Sequence, residues 1–399
     1  MNQGVAITGM GLISAIGNNV ADNFASLISG KTGISKVRRI KTVHEHEIMV
    51  GEVPLTNEEL EKLLGLPPDS HSRTPLLGIM AANEALSQAG IHNISEYSTG
   101  LISGTTVGGM DKSEQYFYDF YESNVHWNHI NSLHAGDSTQ KIADAIGLSK
   151  SFVTTISTAC SSAANAIMLG ARMIKSGELD RVIVGGSDSL SKFTINGFKT
   201  LMILSDTYNT PFDENRKGLN LGEAAAFLVL ESDAIVSKEN KKVLAYVKGY
   251  GNANDAYHQT ASSENGDGAV LAMEKALKVA GITPDEVDYI NAHGTATPNN
   301  DLSEGRAILR VFKDKIPEFS STKPFTGHTL AVAAGVEAVY SILSIQNNVI
   351  YPNLNFKTPM TEFNLVPETQ LMNKEIKTVL SNSFGFGGNC STLIFTKEA

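Results

Sequence analysis

Short β-branched runs recur along the chain, each followed by a turn of small residues and then by a longer stretch with helical spacing of apolar positions. Residues 5–8 (VAIT), 99–105 (TGLISGT), 152–156 (FVTTI), 181–186 (RVIVGG), 225–230 (AAFLVL), 287–292 (VDYINA), 378–382 and 391–396 have the length and content of strands, and 152–156 reads as a buried one. Residues 22–27, 77–89, 164–175 and 329–344 read as helices. Gly90 and Gly177 stand where a helix end favours a left-handed residue, and Lys175 complements the negative end of its helix. Strands alternating with helices predict an α/β fold. Residues 111–145 are the least regular, and they crowd Tyr116, Phe117, Tyr118, Phe120, Tyr121 and Trp127 together. Such a set suits a core or a subunit interface better than a ligand box.

The second half repeats the first. Ala81, Ala85, Leu86, Ala89, Gly90 and Ile91 recur in register as Ala272, Ala276, Leu277, Ala280, Gly281 and Ile282. Further on, Ile102-Ser103-Gly104-Thr105 is echoed by Ala292-His293-Gly294-Thr295. Two matches at nearly one offset predict a duplicated α/β unit, residues 1–235 and 236–399, with a site at the seam.

Composition narrows the function classes. The 399 residues, 42% hydrophobic and 19% charged, suffice for two or three domains with a large core. A net charge of −10 repels phosphates and argues against a nucleic-acid partner. Two cysteines supply no disulfide framework and suit a reducing cytoplasm. Residues 1–9 lack a basic segment and a true apolar run, so they read as a first strand and not a leader. The pattern predicts no span long and apolar enough for a bilayer, and hence a cytoplasmic protein without a membrane partner.

Cys160 falls where strand 152–156 turns into helix 164–175, in what the pattern predicts to be the first helical turn. Free N–H groups and the macrodipole there favour a thiolate, the nucleophilic form. A buried inert cysteine is the ordinary alternative, but the small neighbours in TACSSA leave room for an electrophile. His293 and His328 each sit beside glycine at a strand end, and residues 383–389 (SFGFGGN) form a glycine-rich hairpin. This set fits a Cys-His-His site for covalent acyl transfer. A zinc site is the competing reading, opposed by the lack of close ligand spacing. Gly9, Gly11 and Gly17 resemble a dinucleotide turn, but Ser14 stands where the third glycine belongs and no acidic residue follows at a strand end some twenty residues on. A tight strand-to-helix turn is the better reading. Residues 36–41 (KVRRIK) form a basic run that suits a solvated face or an acidic partner.

TACSSA around Cys160, NAHGTATPNND around His293, STKPFTGH around His328 and NSFGFGGN at 382–389 together resemble the β-ketoacyl-acyl-carrier-protein synthases. The resemblance runs from VAITGMGLISAIG to the last strand, and DAYHQT at 255–260 with ENG at 264–266 is similar to the elongating branch. It implies a thiolase-like fold, a five-layered αβαβα core with the nucleophile in the first half and both histidines in the second. It also implies a decarboxylating condensation. Cys160 takes an acyl chain from an acyl carrier protein as a thioester, and malonyl carrier protein then loses carbon dioxide and extends that chain. His293 and His328 stabilise the enolate oxygen, while the N–H groups of Cys160 and Phe386 hold the acyl oxyanion. Phe386 gates the acyl pocket, next to Phe384, and Lys323 with Glu337 forms a supporting ion pair. Thr295, Thr297 and Thr260 bind the phosphopantetheine arm, and Val107 lies at the pocket floor near a dimer interface. The arm arrives on the carrier, so no cofactor and no metal belong to the enzyme. The implied partners are the carrier and a second ketosynthase-like chain, in a homodimer or heterodimer.

Departures from the family pattern bear on these roles. Asn389-Cys390 replaces the usual Thr-Asn, with Cys390 read as packing, and Ala224 and Ala331-Val332-Ala333 replace glycines. Residues 64–77 lack a basic cluster, which leaves Lys36, Arg38, Arg39, Lys62 and Arg73 as candidates for carrier docking. The resemblance fits fatty-acid elongation and a dedicated polyketide or polyene pathway, the second because of the altered glycine loops. A chain-length-setting partner subunit is opposed by Cys160, and a thiolase or acyl-CoA synthase by the paired histidines.

Overall fold

Ten strands make one continuous sheet: β1 (Val5–Ser14), β2 (Thr99–Gly104), β3 (Phe152–Ile156), β4 (Arg181–Asp188), β5 (Ala224–Glu231), β6 (Ala245–Asn254), β7 (Tyr289–Asn291), β8 (Glu318–Ser320), β9 (Thr378–Gly385) and β10 (Asn389–Thr396). The computed structural model describes residues 4–148 and 151–399; residues 1–3, part of the first-strand reading, lie outside the described residues. The strand order is β8-β7-β9-β10-β6-β1-β5-β4-β2-β3. Each half has its first strand innermost, then its fifth, fourth, second and third. The fourth, second and third run parallel, and the fifth is antiparallel to both its neighbours. The duplication seen in the sequence is thus a duplication of topology. The halves join where Val5, Ala6 and Ile7 pair antiparallel with Val247, Tyr246 and Ala245. The short helix Asp233–Glu239, which contains the expected boundary, connects them.

Six helices matter here: α1 (Arg73–Gln88), α2 (Ser162–Ser176), α3 (Lys192–Thr200), α4 (Asp267–Ala280), α5 (Pro298–Phe312) and α6 (Ala333–Asn347). On the outside, α1 packs on β1 and β5, and α4 packs on β6 and β10. Between the two halves of the sheet, α2 and α6 touch each other and strands of both halves. The layers are therefore helix, half-sheet, paired helices, half-sheet, helix, and one apolar cluster runs through α2, α6 and the inner faces of both half-sheets. Leu330–Asn347 is long and apolar enough to span a membrane by length and composition, contrary to expectation, but 89% of it is buried as this central helix.

The repeated alanines and glycines have one cause. A Cβ on Gly11 would lie 2.0 Å from the backbone oxygen of Ala81, and one on Gly251 would lie 2.0 Å from that of Ala272. Gly9 against Ala85 and Gly249 against Ala276 repeat the contact at 2.2 and 2.4 Å. Each outer helix lies directly on its strand's backbone, an approach only glycine permits. This corrects the reading of Gly9 and Gly11 as a turn, because β1 continues through them to Ser14.

Two further expectations change. The aromatic segment is built of short helical pieces, with Phe117, Tyr118, Tyr121 and Trp127 exposed and so outside the core. Its β-neighbour, the edge strand β3, is half-exposed and not buried.

Gly11→Ala and Gly251→Ala should each cost about 3 kcal/mol, the upper end for overpacking, since a main-chain oxygen cannot step aside. Gly177→Ala, a left-handed helix cap with open space around it, should cost only about 1 kcal/mol. Urea unfolding of the three variants checks the ranking.

Candidate active site

Cys160 sits on a strained turn between β3 and α2. Ala159 before it has φ +51°, and Ser161 after it caps the helix that begins at Ser162. The cysteine therefore precedes the helix and is not in its first turn, as the pattern had suggested. Side chains stitch the turn together: Thr158 N–H donates to Ser162 Oγ (2.8 Å), and Asn165 Nδ2 to Thr158 Oγ1 (2.8 Å). Gly385 keeps the opposite wall close, since a Cβ there would meet Cys160 N at 3.1 Å.

The loop after β7 carries His293. Buried Glu304 on α5 accepts the N–H groups of His293 (2.9 Å) and Gly294 (2.8 Å), with Asn382 Nδ2 donating to it at 3.1 Å. Burial pushes the Glu304 carboxyl up to about 7. His328 follows the short helix after β8. Its N–H donates to Asn220 O (2.7 Å), and its carbonyl accepts from Gly222 N–H (2.9 Å). The two imidazoles are 2% exposed and cross at 89°, with centroids 5.4 Å apart.

Their hydrogen bonds fix the tautomers. Lys323 Nζ lies 3.3 Å from His293 Nδ1, and an ammonium only donates, so Nδ1 accepts. Leu330 N–H donates to His328 Nδ1 at 3.2 Å. Each ring therefore keeps its proton on Nε2 and can donate but not accept there. Burial, reinforced by the Lys323 charge, holds both imidazoles well below their ordinary pKa, and His328 adds to the effect on His293. Lys323 is ion-paired with Glu337, whose second oxygen accepts from Ser383 Oγ (3.2 Å). The pair stands behind His293 and lines neither cavity.

Two cavities meet at the sulfur. One, of about 300 Å³, is lined by Cys160, His293, His328, Phe384, Thr260, Thr295 and Thr297. The other, of about 370 Å³, is almost wholly apolar, with Val107, Phe193, Leu201 and Leu330 in its wall. Cys160, Phe198 and Phe386 belong to both, and Phe386 stacks on Phe198 at 5.9 Å. Every expected site residue is thus at these cavities or directly behind them. Thr295 and Thr297 also bond each other (2.9 Å), so they shape the turn as well as line it. Cys390 reaches the first cavity from β10, its thiol pushed up by burial to about 12.

Sequence reasoning missed Glu304, Ser383, Phe198 and Asp188. Asp188 is fully buried at the end of β4 and accepts from Thr105, Thr106, Val107 and Ala331, joining the apolar cavity to the His328 turn. Only Ser383 lies in a motif, NSFGFGGN at 382–389, and the fold alone brings in the other three. Arg73 is a correction of the other kind. It is buried and paired with Glu223 (2.7 Å), so it belongs to the core and not to a docking patch, whereas Lys36, Arg38, Arg39 and Lys62 are exposed.

The thiol also departs from expectation. Burial raises Cys160 to about 11, against the pull of Lys323 and of the N–H groups of Phe386 and Cys160 that point at the sulfur. The resting group is a thiol and not the anion expected from a helix terminus. Its alkylation by iodoacetamide should keep accelerating beyond pH 9 without a plateau, and Lys323→Met should slow it further. A plateau below pH 8 would contradict the assignment.

The comparisons with known proteins agree with this geometry. The beta-ketoacyl synthase N-terminal domain matches residues 2–234, and the C-terminal domain matches residues 244–357. The chain is 34% identical over 412 residues to the 3-oxoacyl-[acyl-carrier-protein] synthase 2 of Staphylococcus aureus strain N315, with 99% of each covered. Among solved structures it is similar to the ishigamide ketosynthase/chain length factor (TM-score 0.91, 29% identity, all of both chains). A ketosynthase in complex with its chain length factor from Xenorhabdus doucetiae is also similar (TM-score 0.85, 31% identity, 100% of this chain and 98% of that one). With both family domains matched in order, and a relative at this identity covered end to end, the chain belongs to the beta-ketoacyl synthase family.

Proposed function

We propose that the protein is a 3-oxoacyl-[acyl-carrier-protein] synthase that condenses an acyl group on Cys160 with malonyl carrier protein. The observation that carries this is the pair of imidazoles, both locked as Nε2–H donors, in one cavity with the cysteine. In the first stage the Cys160 sulfur forms a thioester with the incoming acyl carbon, and the thiol proton leaves on the pantetheine sulfur. In the second, malonyl thioester loses carbon dioxide and leaves an enolate, whose oxygen accepts from His293 and His328. Neutral donors suit this step, because a developing anion gains from preorganised hydrogen bonds without prior proton transfer. The enolate carbon attacks the acyl carbon, the N–H groups of Cys160 and Phe386 hold that oxyanion, and the sulfur leaves and regains a proton from solvent.

The apolar cavity suits the acyl chain, with Val107 limiting its depth. The polar-rimmed one suits the phosphopantetheine arm along Thr260, Thr295 and Thr297. The arm comes with an acyl carrier protein, so the chemistry needs no bound cofactor. Carrier docking through the exposed cations Lys36, Arg38, Arg39 and Lys62 is part of this reading. The exposed aromatics and the free edge of β3 support association with a second ketosynthase-like chain, either a copy or a chain length factor. Cys160 in its cavity favours the catalytic member of such a pair. A cytoplasmic location fits two unbridged thiols.

Cys160→Ala should abolish condensation, while Cys160→Gln should still release carbon dioxide from malonyl carrier protein. A silent Gln variant would contradict the two-stage scheme. His293→Ala and His328→Ala should each slow decarboxylation roughly 100- to 1,000-fold. The depressed imidazole pKa values keep the donor form neutral on the acid side, so decarboxylation should stay level from pH 7.5 to 6. Lys323→Met removes the charge that adds to this burial effect and should move the acid limb upward, as a pH–rate profile would show.

A further inference from the structure

The turn that carries Cys160 and the loop that carries Phe386 meet at one side chain. Asn389 opens β10 directly after the Phe386–Gly388 loop. Its Oδ1 accepts from Asn165 Nδ2 on α2 (3.0 Å) and Asn252 Nδ2 on β6 (2.9 Å), and Ser161 Oγ, next to Cys160, lies 2.7 Å away. Asn165 itself reaches back to Thr158 in the nucleophile turn (2.8 Å), and its own oxygen takes Asn252 (3.1 Å) and Ser391 (2.9 Å). An amide oxygen has two lone pairs, so this one is saturated by its neighbours.

The far side of the loop is held by main chain and one amide. Gly387 N–H donates to Gln259 O (2.7 Å), Asp255 N–H to Gly388 O (2.8 Å) and Asn254 Nδ2 to Gly387 O (3.0 Å). Gly387 and Gly388, which make these bonds, have φ +79° and +80°, the left-handed region that favours glycine. The turn after Phe386 is thus held from both sides, with Asn389 as its end on the nucleophile side. The threonine usual in resembling synthases would present its oxygen one bond nearer the backbone, away from these donors.

Building on the ketosynthase reading above, we propose that Asn389 is a positioning residue that locks the Phe386 loop to the nucleophile turn, so that the Phe386 N–H stays registered on Cys160 as the sulfur is acylated. It touches no reacting atom and acts through Ser161, Asn165 and Phe386.

The experiment compares acyl transfer from acyl carrier protein to Cys160 with alkylation of the same sulfur by iodoacetamide, which needs no oxyanion hole. Asn389→Leu, similar in volume but without the acceptor, should slow acyl transfer at least tenfold, with KM for the acyl carrier within twofold and alkylation unchanged. Asn389→Asp keeps the acceptor and should restore transfer to within threefold of the native rate. Ser161→Ala should cost less, and its loss should not multiply with that of Asn389→Leu in the double variant. Native transfer in Asn389→Leu, independent losses, or no rescue by Asp would each overturn the proposal. If Asn389→Leu does not fold, Asn252→Ala replaces it, and native transfer in that variant is the refuting result. Cys160→Ala, run alongside, separates the two readings. Transfer retained there sinks the ketosynthase assignment, whereas its loss with a normal Asn389→Leu sinks only the lock.

Discussion

One buried cation acts on every reactive group of the site. Lys323 is 2% exposed, paired with Glu337, and 3.3 Å from His293 Nδ1. That contact makes His293 a donor on its cavity side. Burial holds both imidazoles neutral and the same charge reinforces it, while drawing the Cys160 thiol toward ionisation against its burial. The Ser383 hydroxyl on Glu337 completes the pairing from β9, so strands and helices of the second half all converge on it. Removing either partner would strand a charge in the core, a loss on the order of 3–5 kcal/mol that couples chemistry to stability.

The duplicated topology explains why the reactive groups meet. Cys160 follows the third strand of the first half, and His328 follows the third strand of the second, after one short helical turn. His293 follows the second strand of its half, and its counterpart after β2 is the Thr105–Val107 loop, which walls the apolar cavity. Equivalent strand ends, brought together by the joined halves, thus carry different groups: the cysteine, two histidine donors and an apolar wall. Strand ends of parallel α/β sheets are where such sites assemble, because loops there project from a rigid frame. Asp188 ties the Thr105–Val107 loop to the His328 turn, so the geometry of the two is set together.

The Phe386 loop is tied to the same frame by groups from separate segments, Asn165 and Asn252 outside the quoted motifs and Asn389 at the end of one. Phe386 separates the two cavities, and its N–H points at the sulfur. What holds it there is a cluster of short polar side chains from α2, β6 and β10. The loop is thus held at Gly387 and Gly388 on one side and at Asn389 on the other.

Much of this was determined by the sequence itself. Apolar periodicity marked the α/β alternation, and the alanine repeat marked the duplication, because close helix-on-strand packing demands small residues at fixed spacing. Cys160, His293 and His328 were legible because turns that expose a reactive group need glycine and small residues beside it, and Phe386 through the family resemblance. Other features were decided only by the tertiary structure. Gly9 and Gly11 look like a turn until α1 is laid across them, and Arg73 looks like a surface cation until Glu223 is folded against it. Glu304, Asp188 and Asn389 act through partners far along the chain, and the thiol's resting state follows from how much water the fold removes. Local pattern records what each segment must pack against; it cannot record which distant group arrives, since hydrogen bonding and desolvation depend on neighbours that exist only once the chain has closed.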